Sequence, residues 1–500
     1  MKLSVATLLL TLSCTASAAN TRGLKGGKKK KSTASAHNAD YQDHYLVGLL
    51  NYPNDAVPDE LQGHTSGTYI NGMGGAPFDY VPSVGFSDIE PAYNDNEMAH
   101  GEYFCLSDNG YGSSVNSADY ALNIIRMKIQ KPFTYRHGES TFETYTETEN
   151  LNTAILHDPH GYIKWENGAD IQTAYKVPDA TWSDWQELRV LTGRDFDVEG
   201  LAAVNENLAI VGDELMPAIF AVNPTTGVVL SPFVRTPDID AKGKFNGKFL
   251  STRGDKVHCD VSVLEANADD CMAVDSETVE ASEYRRHDPS GGYEGFSLLA
   301  DGSIAAFVEK KSGDSSLGDE PGTRVYKVNP GDGTPANPPS FESFRGFYPL
   351  ELNNGNIADV SAIPGSSNLV AVVERNGFPS GHMWPAPVQP YNVLCVVDLD
   401  DLDDDMVMQN KKCILNYHRV SDPWDVDGNG IFRYAQTQVT NEQLIVVDDY
   451  CVIAGTDTNF PWTNQFGIDS APYLQEVTDT RFMVVCFQEP VFNLAFDLLD

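Results

Sequence analysis

The sequence predicts an all-β fold, a β-propeller of six blades with long insertions between them. Three observations carry this. A sixteen-residue segment that begins and ends with an acid recurs along the chain, each copy has an apolar–turn–apolar interior, and no amphipathic helical segment competes as a core. The copies are "EGLAAVNENLAIVGDE" (199–214), "EGFSLLADGSIAAFVE" (294–309), "DVSAIPGSSNLVAVVE" (359–374) and "EQLIVVDDYCVIAGTD" (442–457). A looser fifth copy lies within "GFSDIEPAYNDNEMAHGEYFCLSDNG" (85–110), where Asp88 and Asp108 are twenty residues apart and the extra residues fall in the polar tip.

Each copy reads as a hairpin. The midpoint of the second is Asp301-Gly302, a dipeptide favoured in two-residue turns. The other midpoints fall in "NENL", in "PGSSN" and at Asp449-Tyr450. The arms are continuous runs of Val, Ile, Leu and Ala, as expected for strands buried on both faces. Copies starting at 88, 199, 294, 359 and 442 are too irregularly spaced for a solenoid. A propeller tolerates the spacing, because a blade needs about 40–50 residues and the remainder becomes insertion. The sixth blade is expected from parts of 120–195 or from the chain ends.

The flanks divide the chain into three. Residues 1–18 read as a signal peptide: Lys2, an apolar stretch from Leu3 to Leu12, and the small-residue site Ala16-Ser17-Ala18. Residues 19–40 are basic and low in complexity, a disordered tail that serves as a solvated linker or as a tether to an anionic surface. Residues 41–500 form a single propeller domain. No later run reaches the eighteen or so apolar residues of a membrane span. A secreted, extracellular monomer is therefore expected. The chain carries 34 basic and 71 acidic residues, a net charge of −37, which argues against nucleic acid as a partner and suits a cation-binding protein.

Seven cysteines remain after Cys14 leaves with the signal. Cys259 with Cys271, and Cys395 with Cys413, flank short polar loops and are expected to form local disulfides. Cys105, Cys451 and Cys486 sit in apolar runs and read as core. No Cys-x-x-Cys supports a zinc site.

The acids set the chemistry. Facing residues of an antiparallel pair have Cβ atoms about 4.5–5.5 Å apart, and like charges there repel. In a propeller the inner hairpins all present the same end to the channel. Glu199/Glu214, Glu294/Glu309, Asp359/Glu374 and Glu442/Asp457, with Asp88/Asp108, are thus expected to gather as pairs around one mouth. Such crowding requires either protonation or cations. A hard cation such as Ca²⁺, which takes six to eight oxygen ligands, fits it. The competing reading makes these acids structural caps that accept backbone hydrogen bonds.

"FDVEGLAAV", "GYEGFSLLADGSIAAFVEKK", "NIADVSAIPGSSNLVAVVERNG" and "AGTDTNFPW" resemble the phytase-like family, described as having esterase-like activity of phytase, over roughly 80–490. The resemblance implies a secreted propeller and phosphoester or ester hydrolysis of a small phosphorylated substrate. On that reading the ten acids hold calcium, and Glu199 and Glu294 supply the catalytic carboxylates. Arg375 clamps a phosphoryl oxygen and Lys310 adds a point charge. Asp359-Val360 and Glu442-Gln443 depart from the Glu-Gly pattern. They leave open a second class, a non-catalytic propeller that binds a partner or surface.

Three further stretches are polar. "DVDGNG" (Asp425–Gly430) resembles the start of a calcium loop with Asp425, Asp427 and Asn429 as ligands, but has Gln436 where a bidentate Glu belongs. "DLDDLDDD" (Asp398–Asp405) reads as a solvated loop, and "HDPH" (His157–His160) as a surface turn. There is no Gly-x-Ser-x-Gly elbow and no Gly-x-x-x-x-Gly-Lys phosphate loop.

Overall fold

The inner strand of each sheet is the element that places the functional side chains. In the computed structural model, residues 43–53, 83–163, 187–251, 284–286, 291–376, 391–458 and 479–492 are described, apart from short breaks within those ranges. The expected signal peptide, basic tail and Cys259–Cys271 bridge lie outside the described residues.

Strand β1 is His44–Tyr52. Blade I contains β2 (Asp88–Asn94), β3 (Glu97–Leu106), β4 (Asn123–Gln130) and β7 (Glu147–Ile155), with a hairpin of β5 (Phe133–His137) and β6 (Ser140–Thr144) inserted. Blade II contains β8 (Val198–Asn205), β9 (Leu208–Asp213), β10 (Ala218–Val222) and β11 (Val234–Arg235). A side sheet of β12 (Pro237–Ile239), β13 (Phe245–Ser251) and β14 (Tyr284–Arg286) follows. Blade III is β15 (Tyr293–Leu298), β16 (Ile304–Val308), β17 (Thr323–Asn329) and β18 (Ser340–Tyr348). Blade IV is β19 (Asn356–Ala362), β20 (Leu369–Arg375), β21 (Asn392–Asp398) and β22 (Lys411–Asn416). After β23 (Val420–Ser421) and β24 (Arg433–Tyr434), blade V takes β25 (Thr440–Val446), β26 (Cys451–Asp457) and β27 (Thr480–Phe487) and is completed by β1.

The inner strands neighbour one another in a closed order: β2 beside β8, then β15, β19, β25 and β2 again. Five apolar clusters fill the five seams. Leu106 and Ile124 meet Val211 and Phe220 between blades I and II. Ile210 meets Phe296 between II and III, and Phe307 meets Val370 between III and IV. Leu394 meets Val452 between IV and V, and Ile453 meets Ile125 between V and I. The expected six blades are therefore corrected to five among the described residues. The material assigned to a sixth is used elsewhere. Asn123–Gln130 and Glu147–Ile155 complete blade I, and His44–Tyr52 pairs antiparallel with Thr480–Phe487 in blade V.

The hairpin reading of the repeats holds for their turns and arms. Ile304–Val308, Leu369–Arg375 and Cys451–Asp457 are buried throughout. The Glu-Gly motif has a packing reason as well as a chemical one. A Cβ on Gly200 would come within 2.9 Å of the Phe296 ring, and one on Gly295 within 2.7 Å of the Val360 nitrogen. The neighbouring blade thus comes close enough to exclude a side chain.

Cys395 and Cys413 are disulfide-bonded between β21 and β22, as expected. Cys451 and Cys486, read from sequence as core, are instead bonded to each other across β26 and β27. Their apolar surroundings hid a facing pair that only strand register reveals. Cys105 is a buried thiol whose pKa is pushed well up by burial and by Asp88. No helix among the described residues is long and apolar enough to cross a membrane. Replacing Cys451 and Cys486 together with Ala should cost about 2–4 kcal/mol of stability by urea denaturation. Unreduced peptide mapping should recover 451 linked to 486; linkage of either to Cys105 would refute the pairing.

Candidate functional site

Backbone bulges aim the glutamates. The register between inner and second strand slips between Val198 and Gly200, between Tyr293 and Gly295, and between Asn441 and Gln443. The residue at each slip is Glu199, Glu294 or Glu442. A bulge leaves one residue unpaired and re-aims its side chain. The three glutamates converge, with carboxylate oxygens within 4.8 Å of one another. Blade IV has the same slip between Ile357 and Asp359, where the bulged residue is Ala358.

The second acids follow the ends of the second strands. Glu214 donates its amide to the Asp197 carbonyl, and Glu309 donates its own to that of Gly292. Oxygens of Asp197, Glu199 and Glu214 lie within 4.8 Å of one another, as do those of Glu214, Glu294 and Glu309. Three overlapping groups thus form one cluster of six carboxylates. The blade IV counterpart of Glu309 is Arg375. Its Nη2 donates to Glu294 Oε1 at 2.8 Å and to Glu442 Oε1 at 2.5 Å, and lies 3.8 Å from Glu309. Lys310 Nζ is 2.7 Å from Glu309 Oε2, and Asn356 donates to Glu309 Oε1 at 2.6 Å.

Burial raises the Glu199 carboxyl well above the usual range, and Asp197, Glu294, Glu442 and Glu214 raise it further. Glu214 is raised by burial, then by Asp197, Glu309 and Glu294. Burial and Glu309 raise Glu294, while Arg375 opposes them. Burial by itself lowers the pKa of Arg375, but Glu442, Glu294 and Glu309 outweigh it and hold the guanidinium charged.

Of the other expected ligands, all but Glu374 lie around and beneath this cluster. Asp108 is raised by burial and by Asp197 and Glu442, and it accepts from the Gly110 amide. Asp457 approaches the backbone so closely that a Cβ on Gly85 would meet its Oδ1 at 1.9 Å. Asp88 and Asp359 sit one residue deeper. Asp88 Oδ2 accepts from the Leu201 amide at 2.5 Å, and Asp359 Oδ2 from the Leu444 amide at 2.5 Å. The expected facing pairs are corrected: Glu374 faces Ile357 and Asp359 faces Val373, Asp457 faces Thr440, Asp88 faces Leu106, and Glu214 and Glu309 lie opposite Asp197 and Gly292, with Glu199, Glu294 and Glu442 at the slips. Glu374 leaves the channel altogether. It accepts from Tyr348 Oη at 2.6 Å and from Lys411 Nζ at 2.7 Å at the seam with blade III.

Two acids were missed in sequence. Asp197 lies just outside the repeat and accepts from the Asn109 amide at 3.1 Å and from Asn109 Nδ2 at 2.7 Å. Glu90 lies inside the looser copy, buried, with the Ser297 hydroxyl donating to it at 3.2 Å. Elsewhere, Asp422 joins Asp425 and Asp427, while Asn429 and Gln436 lie outside the described residues. Asp403 is tied up by the amides of Asp405 and Val407, and His157 Nδ1 is 2.8 Å from the Ile155 carbonyl oxygen.

The phytase-like family, described as "Esterase-like activity of phytase", matches over residues 82–460. None of the curated proteins compared matches the chain. Among solved structures, the major allergen Mala s 1 of Malassezia sympodialis aligns at 10% identity and a TM-score of 0.27, over 75% of this chain and 95% of that one. The aldose sugar dehydrogenase of Streptomyces coelicolor, in its PQQ-bound form, aligns at 11% and 0.23, over 58% and 94%. AztD of Citrobacter koseri aligns at 10% and 0.23, over 76% and 82%. These scores are too low to carry an argument about this chain.

The raised carboxyls have a measurable sign. A group that binds its proton more tightly in the folded state than in the unfolded chain makes stability fall as pH rises. For Glu199, Glu214 and Glu294 the fall begins above the unfolded value of about 4.5 and continues to their raised folded values. In chelator, the melting temperature should therefore drop between pH 5 and pH 8. Glu199→Gln should flatten that drop; an unchanged slope would disprove the assignment.

Proposed function

The chain belongs to the phytase-like family, and from that premise we propose that it is a calcium-dependent phosphoesterase acting at the acidic mouth of the propeller channel. The observation that supports this most is the convergence of Asp197, Glu199, Glu214, Glu294, Glu309 and Glu442 from three blades onto one cluster. Among the described residues, Arg375 and Lys310 are the cations seated in it. Two positive charges do not balance six carboxylates. The donor atoms fit a hard cation, being carboxylate oxygens with no sulfur or imidazole among them.

Asp197, Glu199 and Glu214 would hold the ion, because Arg375 is committed to Glu294 and Glu442, and Lys310 to Glu309. Calcium bound there supplies positive charge against a phosphate and lowers the pKa of a coordinated water. Glu199 belongs to two of the acid groups, and we assign it as the base that takes the proton from the attacking water. Glu294 is held in place by Arg375, which acts as a positioning residue more than as a phosphate clamp. Lys310, half-buried and paired with Glu309, adds positive charge beside the phosphate. The expected substrate is a small phosphomonoester met outside the cell.

Blade IV favours the second reading, a non-catalytic propeller that binds a partner, because it carries Ala358 where blades II, III and V carry Glu, and Arg375 where the other blades carry acids. Hydrolysis of p-nitrophenyl phosphate with calcium and with chelator separates the two. Activity should need calcium, and Glu199→Gln should lower kcat by about 10²–10⁴-fold. A calcium titration that shifts the melting temperature without any turnover would support the binding reading.

A further inference from the structure

The end of the channel opposite the acid cluster opens into a cavity of about 340 Å³. That is within the size range of small-molecule sites. Its walls are apolar and aromatic, built from Tyr93, Tyr103, Leu299, Ile363 and Ile445, and Glu90 and Ser297 add polar groups. Glu90 is 5% exposed and accepts a hydrogen bond from the Ser297 hydroxyl at 3.2 Å. The second acid of the lining, Glu102, is already paired with Arg126 at 2.7 Å. No lysine, arginine or histidine is among the described residues that line the cavity.

We propose that this cavity binds a small organic cation, an apolar body carrying a protonated amine, with the amine on Glu90. A carboxyl buried without a counter-ion is costly to ionise, and an ammonium held against it removes that cost. The aromatic walls reinforce the choice, since Tyr faces attract cations. A bare divalent ion is a poorer match, because it needs six or more oxygens and the walls are apolar. An anion would meet Glu90 directly. The proposal does not depend on the reaction assigned to the other mouth.

Isothermal titration of the full chain with n-hexylammonium, 1-hexanol and hexanoate, at fixed calcium, tests it. Hexylammonium should bind at least about tenfold more tightly than hexanol, and hexanoate should not bind. Glu90→Gln should remove at least about tenfold of the hexylammonium affinity. Ala300 lines the cavity and is exposed, so Ala300→Trp should block binding of both while leaving the fold and the phosphomonoester activity unchanged. Equal affinity for hexanol and hexylammonium, or full affinity in Glu90→Gln, would overturn the cationic assignment. No binding by wild type, or unchanged binding in Ala300→Trp, would overturn the site itself.

Discussion

The innermost strand of each sheet has a hydrogen-bonding neighbour on one side only, and its other edge faces the channel axis. Unpaired backbone amides buried there are costly unless something accepts from them. The chain meets this constraint with side chains from the preceding blade. Asp88 accepts from Leu201, Asp359 from Leu444, the Ser297 hydroxyl from Ala362, and the Ser361 hydroxyl from Val446. Each acceptor lies one residue before the position of the amide it serves in the next blade. Polar residues in otherwise apolar inner strands are thus part of how the ring closes on itself. At Gly295 the strands pack directly against the Val360 nitrogen, and the Val360 amide donates to Oδ1 of its own neighbour Asp359 instead.

The same constraint sorts the acids into two kinds. Asp88 and Asp359 have backbone donors and act as caps. Glu199, Glu214 and Glu294 face mostly one another, and their carboxyls are driven upward by burial and mutual repulsion. The capping reading of the repeated acids therefore holds for Asp88 and Asp359, while the crowding expected of the acids is found at Glu199, Glu214 and Glu294. Arg375 holds the position that Glu214 and Glu309 take in blades II and III, and it bridges blades III, IV and V through Glu294 and Glu442. A propeller with perfect repeats would lack that bridge.

Hairpins, turns and the apolar arms were legible because each leaves a local signal in the chain. Inner strands could be located from the Glu-Gly pattern and its variants. Blade number was not legible, since it depends on which outer strands pair and on β1 returning to blade V, contacts between residues more than 400 positions apart. The mis-set register of the copies, in which a bulge displaces the first acid from its expected partner, has the same origin, and in the third copy it also misplaces the acid itself. "IADVSAI" aligns with "YEGFSLL" only when Ala358, not Asp359, takes the bulge, and an acid-seeking alignment chooses the acid. Asp197 escaped because it precedes the repeat, and Glu90 because a carboxyl two residues into an inner strand has no counterpart in the other copies. Cys451 and Cys486 face each other through a strand pairing that spacing alone does not announce.

Pairing β1 with β27 has a consequence for biogenesis. Blade V cannot be assembled until Thr480–Phe487 has left the ribosome, so His44–Tyr52, among the earliest strands made, must wait for nearly the entire chain to emerge. Through that interval the ring is an open arc, with apolar blade faces and sheet edges exposed at both ends, the condition under which chains associate wrongly. Ring closure of such long range is intrinsically slow. Blades II, III and IV, each built from consecutive strands, can form as they appear. The join in blade V is thus the closure that spans the longest stretch of chain.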